Sequence, residues 1–151
     1  MAESQTQFVM QKIYVKDLSF ETPDSPQVFL EKWEPDINLQ LGNKAATLNE
    51  NTYEVILELT VTAKVKDKTA FLVEVHLAGI FYISGYDQDE LALLTGSSCP
   101  QTLFPFAREV VSDLVTRGGF PQLLLSPINF DVLYRQHLEQ SQSSQQGDSK
   151  H

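Results

Sequence analysis

The feature that most constrains this chain is a run of strict alternation. In YEVILELTVTAKV, residues 53–65, the odd positions carry Tyr53, Val55, Leu57, Leu59, Val61, Ala63 and Val65, and the even positions are mostly Glu, Thr and Lys. A period of two is the signature of a strand with one buried and one wet face. KDKT follows as a turn. TAFLVEVHLAGIFYI, residues 69–83, then alternates again, with Phe71, Val73, Val75, Leu77, Phe81 and Ile83 on one side and Leu72, Glu74 and His76 on the other. Odd positions stay on one side across such a turn, as an antiparallel hairpin requires.

Two more strands lie upstream. PDINLQLGN puts Ile37, Leu39 and Leu41 on a third odd-numbered face. QFVMQKIYVKDLSFE, residues 7–21, has Phe8, Met10, Tyr14, Leu18 and Phe20 at even positions and Asp17, Ser19 and Glu21 at the other parity. The simplest arrangement is a four-stranded antiparallel meander, broken at TPDSP, with VFLEKWEP linking the first two strands.

Helices come late. DQDELALL, residues 87–94, suits a short one with acids at its start. The next is expected over 98–117, capped by Ser98 with Pro100 near its start. Leu103, Phe106, Ala107, Val110, Val111, Leu114 and Val115 form its apolar stripe, Pro105 bends it, and Gly118 and Gly119 stop it. A last, short helix starts near Asn129 with Phe130, Leu133, Tyr134, His137 and Leu138. Strands first and helices after predict an α+β fold, with a long and a short C-terminal helix on one face of the sheet. One folded unit over residues 8–140 is expected. Residues 1–7 read as a flexible N-terminus and 141–151 as a disordered polar tail.

Composition narrows the function. The net charge is -9, and only 11 Lys and Arg are present, scattered along the chain. That argues against nucleic-acid binding, which needs a basic stripe. A single cysteine, Cys99, allows no intrachain disulfide. No signal peptide is expected at MAESQTQ, and no run reaches the ~18 apolar residues of a membrane span. The expected compartment is the cytoplasm, with no direct membrane insertion.

Constellations for chemistry are poor. His76, His137 and His151 have no metal-ligand neighbours at a standard spacing, and no nucleotide-binding glycine motif is present. Cys99 at a helix start suits either a small packed residue or a thiol of lowered pKa. The expectation is a protein without catalytic residues, cofactor or metal. The unusual feature is an apolar surplus: Trp33, the segment RGGFPQLLLSPINF, and even-numbered Phe8, Leu18, Phe20, Leu72, Ile80 and Tyr82. Either subunits cover it for one another or a ligand does.

SFETPDSPQVFLEKW, ELTVTAKV, FLVEVHLAGIF, CPQTLFPFARE and RGGFPQLLLSPINFD follow one another in an order and spacing that resembles SecB, the bacterial protein-export chaperone family. The resemblance covers roughly residues 8–138. It implies a cytoplasmic homotetramer, a dimer of dimers, in which the 98–117 helix and the first strand carry much of the assembly contact. It implies a holdase without ATP that keeps unfolded precursor proteins export-competent and delivers them to the SecA motor. The implied peptide-binding groove comprises Trp33, Ile37, Leu39, Leu41, Phe71, Val73, Val75, Phe106, Tyr134 and Leu138, with Leu77 extending it. Phe120, Leu123 and Leu125 are left to pack the crossover down. SecA's basic, zinc-bearing C-terminal tail would dock on Asp17, Glu21, Leu72 and Glu74; the zinc belongs to SecA. Two alternatives stand beside this: a SecB-like chaperone serving a toxin–antitoxin system, and a structural oligomer without clients.

Overall fold

The computed structural model describes residues 5–148. Strands β1 (Gln7–Glu21), β2 (Asp36–Asn49), β3 (Thr52–Val65) and β4 (Lys68–Ser84) precede helices α1 (Gln88–Leu93), α2 (Cys99–Arg117) and α3 (Phe130–Asp148). The strands form one antiparallel sheet in the order β1-β4-β3-β2.

That order corrects the simple meander. β2, β3 and β4 are neighbours in sequence and in space because tight turns join them. Asn51 lies at φ 61°, and Lys66 and Asp67 at 51° and 66°; left-handed residues of this kind suit the twist of a two-residue hairpin. The link from Thr22 to Pro35 imposes no such adjacency, and β1 pairs with β4 instead.

β1 departs from simple parity as well. Its pairing with β4 slips between Met10 and Lys12 and again between Val15 and Asp17. Each bulge adds one residue and flips the side chains that follow. Phe8 and Met10 pair with Ile83 and Phe81 on the inner face, Ile13 and Val15 with Gly79 and Leu77, and Leu18 and Phe20 with Val75 and Val73. Tyr14, expected among the apolar set, turns to the outer face, where its hydroxyl donates to Glu54.

The inner face is the odd-numbered face of β3 and β4. Val55, Leu59, Val61, Phe71, Val73, Val75 and Phe81 are fully buried there, beneath Leu103, Ala107, Val111 and Val115 of α2. Asp87 caps α1 by accepting from the Glu90 N–H at 2.8 Å. A π-helical turn, Leu94–Ser98, then leads straight into α2. Ser98 is itself helical (φ -65°, ψ -42°) and makes no side-chain cap, because the preceding turn already supplies the backbone that a cap would replace. α2 ends where Gly119 adopts φ 92° and the Phe120 N–H reaches back to the Val115 carbonyl at 3.2 Å.

The extended crossover from Phe120 to Asn129 presses Phe120 and Leu125 into the core and leaves Leu124 69% exposed. Its prolines keep it extended while alternate side chains bury, so an apolar loop is stable. Asn129 Oδ1 accepts from the Val132 N–H at 3.1 Å and opens α3. The helix then continues to Asp148, through residues where the sequence predicts a disordered tail. Glutamine is a good helix former, and no proline interrupts the segment. Residues 1–4 and 149–151, also expected to be flexible, lie outside the described residues.

On the outer face, Glu54 accepts from Tyr14 and from Lys16 Nζ at 2.9 and 3.0 Å. The Tyr14 hydroxyl, then Lys16, holds the Glu54 carboxyl below its usual range, and the same hydrogen bond pushes Tyr14 up to about 12. Glu54 therefore stabilises the fold above the ordinary glutamate pKa, and that contribution is lost as pH falls through its lowered folded value. Glu54→Gln is expected to flatten the acid limb of a urea-stability profile and leave the slope near neutrality unchanged; an acid limb identical to the parent's contradicts the assignment.

Candidate functional site

α2 packs on β4 and β3, the two central strands. Inner-face side chains on the two outside strands therefore extend past its cover. On β2, Ile37, Leu39 and Leu41 stand opposite Ala63, Val61 and Leu59 of β3, so all three share the inner face. Ile37 is 39% exposed, and Leu39 and Leu41 are half-buried.

α3 faces this margin across a cleft of about 680 Å³, lined by Leu41, Gly42, Asn43, Leu57, Gly96, Phe130, Leu133, Tyr134, Gln136, His137 and Gln140. Three contacts hold α3 in place. Phe104 of α2 meets Phe130 edge-on at 5.8 Å between ring centroids. The buried Ser97 hydroxyl donates to Asp131. The Tyr134 ring lies against Gly96, where a Cβ would stand 2.8 Å from the ring carbons, so a larger residue would push α3 away. At the far end of β2, Trp33 stacks on Phe71 at 6.3 Å and meets Phe120 at 5.2 Å.

The structure thus brings Trp33, Ile37, Leu39, Leu41 and Tyr134 to one margin. Leu138, four residues after Tyr134, follows it along the same face of α3 and is 42% exposed. Five other expected groove residues are placed differently. Phe71, Val73 and Val75 are 0% exposed and Leu77 is 3% exposed; they are core beneath α2, because β4 is a central strand. Phe106 is 42% exposed. Two residues before it, Phe104 touches α3; two residues turn a helix by about 200°, so Phe106 points away from α3.

Phe106 instead belongs to the β1 margin. Val15 and Leu18, on the inner face of β1, are 43% and 42% exposed, while Ile13, Val110 and Leu114 are half-buried. At the C-terminal end of α2, the Phe20 ring lies so close to Gly118 that no Cβ would fit. The inner face therefore has two uncovered apolar margins, one on each side of α2.

The opposite face carries the four residues expected to dock a partner, Asp17, Glu21, Leu72 and Glu74. Register sets Leu72 of β4 between Glu21 of β1 and Thr62 of β3, and Glu74 between Ser19 and Thr60. Asp17 lies in the next row, opposite His76, which is opposite Glu58. Cross-strand neighbours are roughly 5 Å apart, so the four expected residues form one patch, acidic around a half-buried leucine. Glu58 and His76 join it although no motif marks them. Register alone identifies them, and register needs the strand order. Cleft residues missed in sequence include Asn43 on β2, Gly96 in the π-helical turn, and Gln136 and Gln140 on α3; the spacing of Leu133, Tyr134 and His137 hinted at the face of the last two alone.

Cys99 is 0% exposed, and burial pushes its thiol up to about 12, which decides for the packed reading. Among the described residues, no group of three His, Cys, Asp or Glu is placed to hold a metal ion, and no helix is long and apolar enough to cross a membrane.

Comparison with known proteins agrees with this architecture. The family model for the preprotein translocase subunit SecB matches residues 1–141. The protein-export protein SecB of Nitrosococcus oceani is 60% identical, covering 97% of this chain and 91% of that protein. That of Methylococcus capsulatus is 53% identical, covering 99% and 96%. Among solved structures, a Mycobacterium tuberculosis SecB-like chaperone in complex with a ChAD peptide from the HigA1 antitoxin superposes with a TM-score of 0.68, at 16% identity over 80% of this chain and 90% of that one; this likeness bears on the fold alone. The chain belongs to the SecB family of protein-export chaperones.

Proposed function

We propose that this chain is a cytoplasmic holdase that works without ATP, binding unfolded precursor proteins in the cleft between β2 and α3 and handing them to SecA. The observation that carries the reading is the uncovered apolar margin of β2, closed on one side by a helix and open on the other. An unfolded chain exposes apolar side chains; a native one exposes few in a row. Burying ~400 Å² of client apolar surface at ~25 cal/mol/Å² yields about 10 kcal/mol gross, and ordering the segment cancels much of it. Each segment then binds modestly, and a homotetramer, a dimer of dimers, gains avidity by holding several at once. The second margin, Val15, Leu18 and Phe106, supports that assembly: it is apolar, exposed in the single chain and turned away from the cleft. The acidic outer face suits SecA's basic zinc-bearing tail, leaving client and motor on opposite sides of the sheet.

At stoichiometric tetramer, the protein is expected to delay refolding of a reduced, denatured model client. Leu39→Ser with Leu133→Ser is expected to weaken that client about tenfold while native mass is unchanged. An unaltered refolding rate with the parent protein contradicts the holdase, and unaltered affinity with the double variant contradicts the cleft.

Glu74→Lys is expected to weaken SecA binding several-fold and spare client affinity. Loss of both would mean that the two faces are assigned wrongly.

A further inference from the structure

His76 lies among the outer-face carboxylates. Its side chain is 26% exposed, and its Nε2 stands 3.1 Å from Glu74 Oε1. Asp17 of β1 is its cross-strand neighbour on one side and Glu58 of β3 on the other. The remaining charges around it are Glu21 of β1, Lys44 of β2, which pairs with Glu58 at 3.1 Å, and Lys16, which pairs with Glu54 at 2.9 Å. α2 covers the inner face, so these groups meet solvent on their own side.

We propose that His76 is a specificity-determining residue for the basic partner, because a cationic His76 competes for the same carboxylates that the partner's cations need. The inference rests on the docking role proposed above. A neutral imidazole protonated on Nε2 donates one hydrogen bond to Glu74 Oε1 and leaves the negative field of the patch intact. Imidazolium takes up one proton, pairs with Glu74 and faces Asp17 and Glu58 as a fixed counter-charge. Partner binding is thereby linked to the charge on this ring: stronger when His76 is neutral, weaker when it is charged. Glutamine at this position would keep a donor for Glu74 without titrating, and lysine would hold the charge permanently.

The test titrates purified SecA into the full-length parent, His76→Gln and His76→Lys at about pH 6 and about pH 8, with denatured-client binding as the folding control. The parent is expected to bind about threefold more weakly than His76→Gln at the lower pH and equally at the higher, the size of one exposed ion pair. His76→Lys is expected to bind weakly at both, and client affinity to be equal in all three chains. Parallel pH profiles for the parent and His76→Gln would overturn the role of His76. Failure of the parent to bind SecA at either pH would instead overturn the docking surface itself.

Discussion

A single helix lies over a sheet that is wider than it is, and the rest of the structure follows from that mismatch. Four strands about 4.8 Å apart place the outer strand axes roughly 14 Å from each other, while a helix with its side chains is about 10 Å across. α2 is centred on β3 and β4, where Leu103, Ala107, Val111 and Val115 are wholly buried against Val55, Leu59, Val61, Val73 and Val75. Beyond its reach, on either side, stand apolar side chains that are at least partly exposed, among them Ile37, Leu39 and Leu41 on β2 and Val15 and Leu18 on β1.

The two margins are not equivalent. On the β2 side, α1 and the π-helical turn bring the chain round so that the crossover returns α3 along the edge, leaving a cleft between strand and helix. Gly96, Ser97 and Phe104 set the distance between them through contacts with Tyr134, Asp131 and Phe130. On the β1 side no element among the described residues returns. Val15, Leu18 and Phe106 are left exposed there, with no second helix beside them to form a cleft among the described residues. Among the described residues no helix lies on the outer face, and its alternating polar residues leave charge where the inner face leaves grease. One strand pattern thus leaves three kinds of surface: an apolar cleft, an open apolar margin and a charged face.

Much of this was legible in the residues. The alternation at 53–65 and 69–83 marked the hairpin, its turn and its buried parity, and blocks from Ser19 to Asp131 carried the family resemblance. Parity, however, reports which face a side chain takes and not whether its strand is central or at an edge. Phe71, Val73 and Val75 share a face with Leu39 and Leu41, yet β4 is interior and β2 is not, so only the latter stand at the uncovered margin, where Leu41 lines the cleft. Strand order depends on the long link after β1, which carries no local signal. The bulges in β1 are equally silent, and they moved Tyr14 to the opposite face. Phe106 matched the helical stripe by spacing, but which flank of α2 it occupied needed the position of α3.

The central claim is that the two uncovered margins have different occupants. A benzophenone amino acid placed at Leu41 in one version of the chain and at Val15 in another, irradiated with a denatured client present, tests this directly. The account predicts covalent adducts to client from position 41 and to a second copy of the chain from position 15. Client adducts from position 15 with none from position 41 would contradict it.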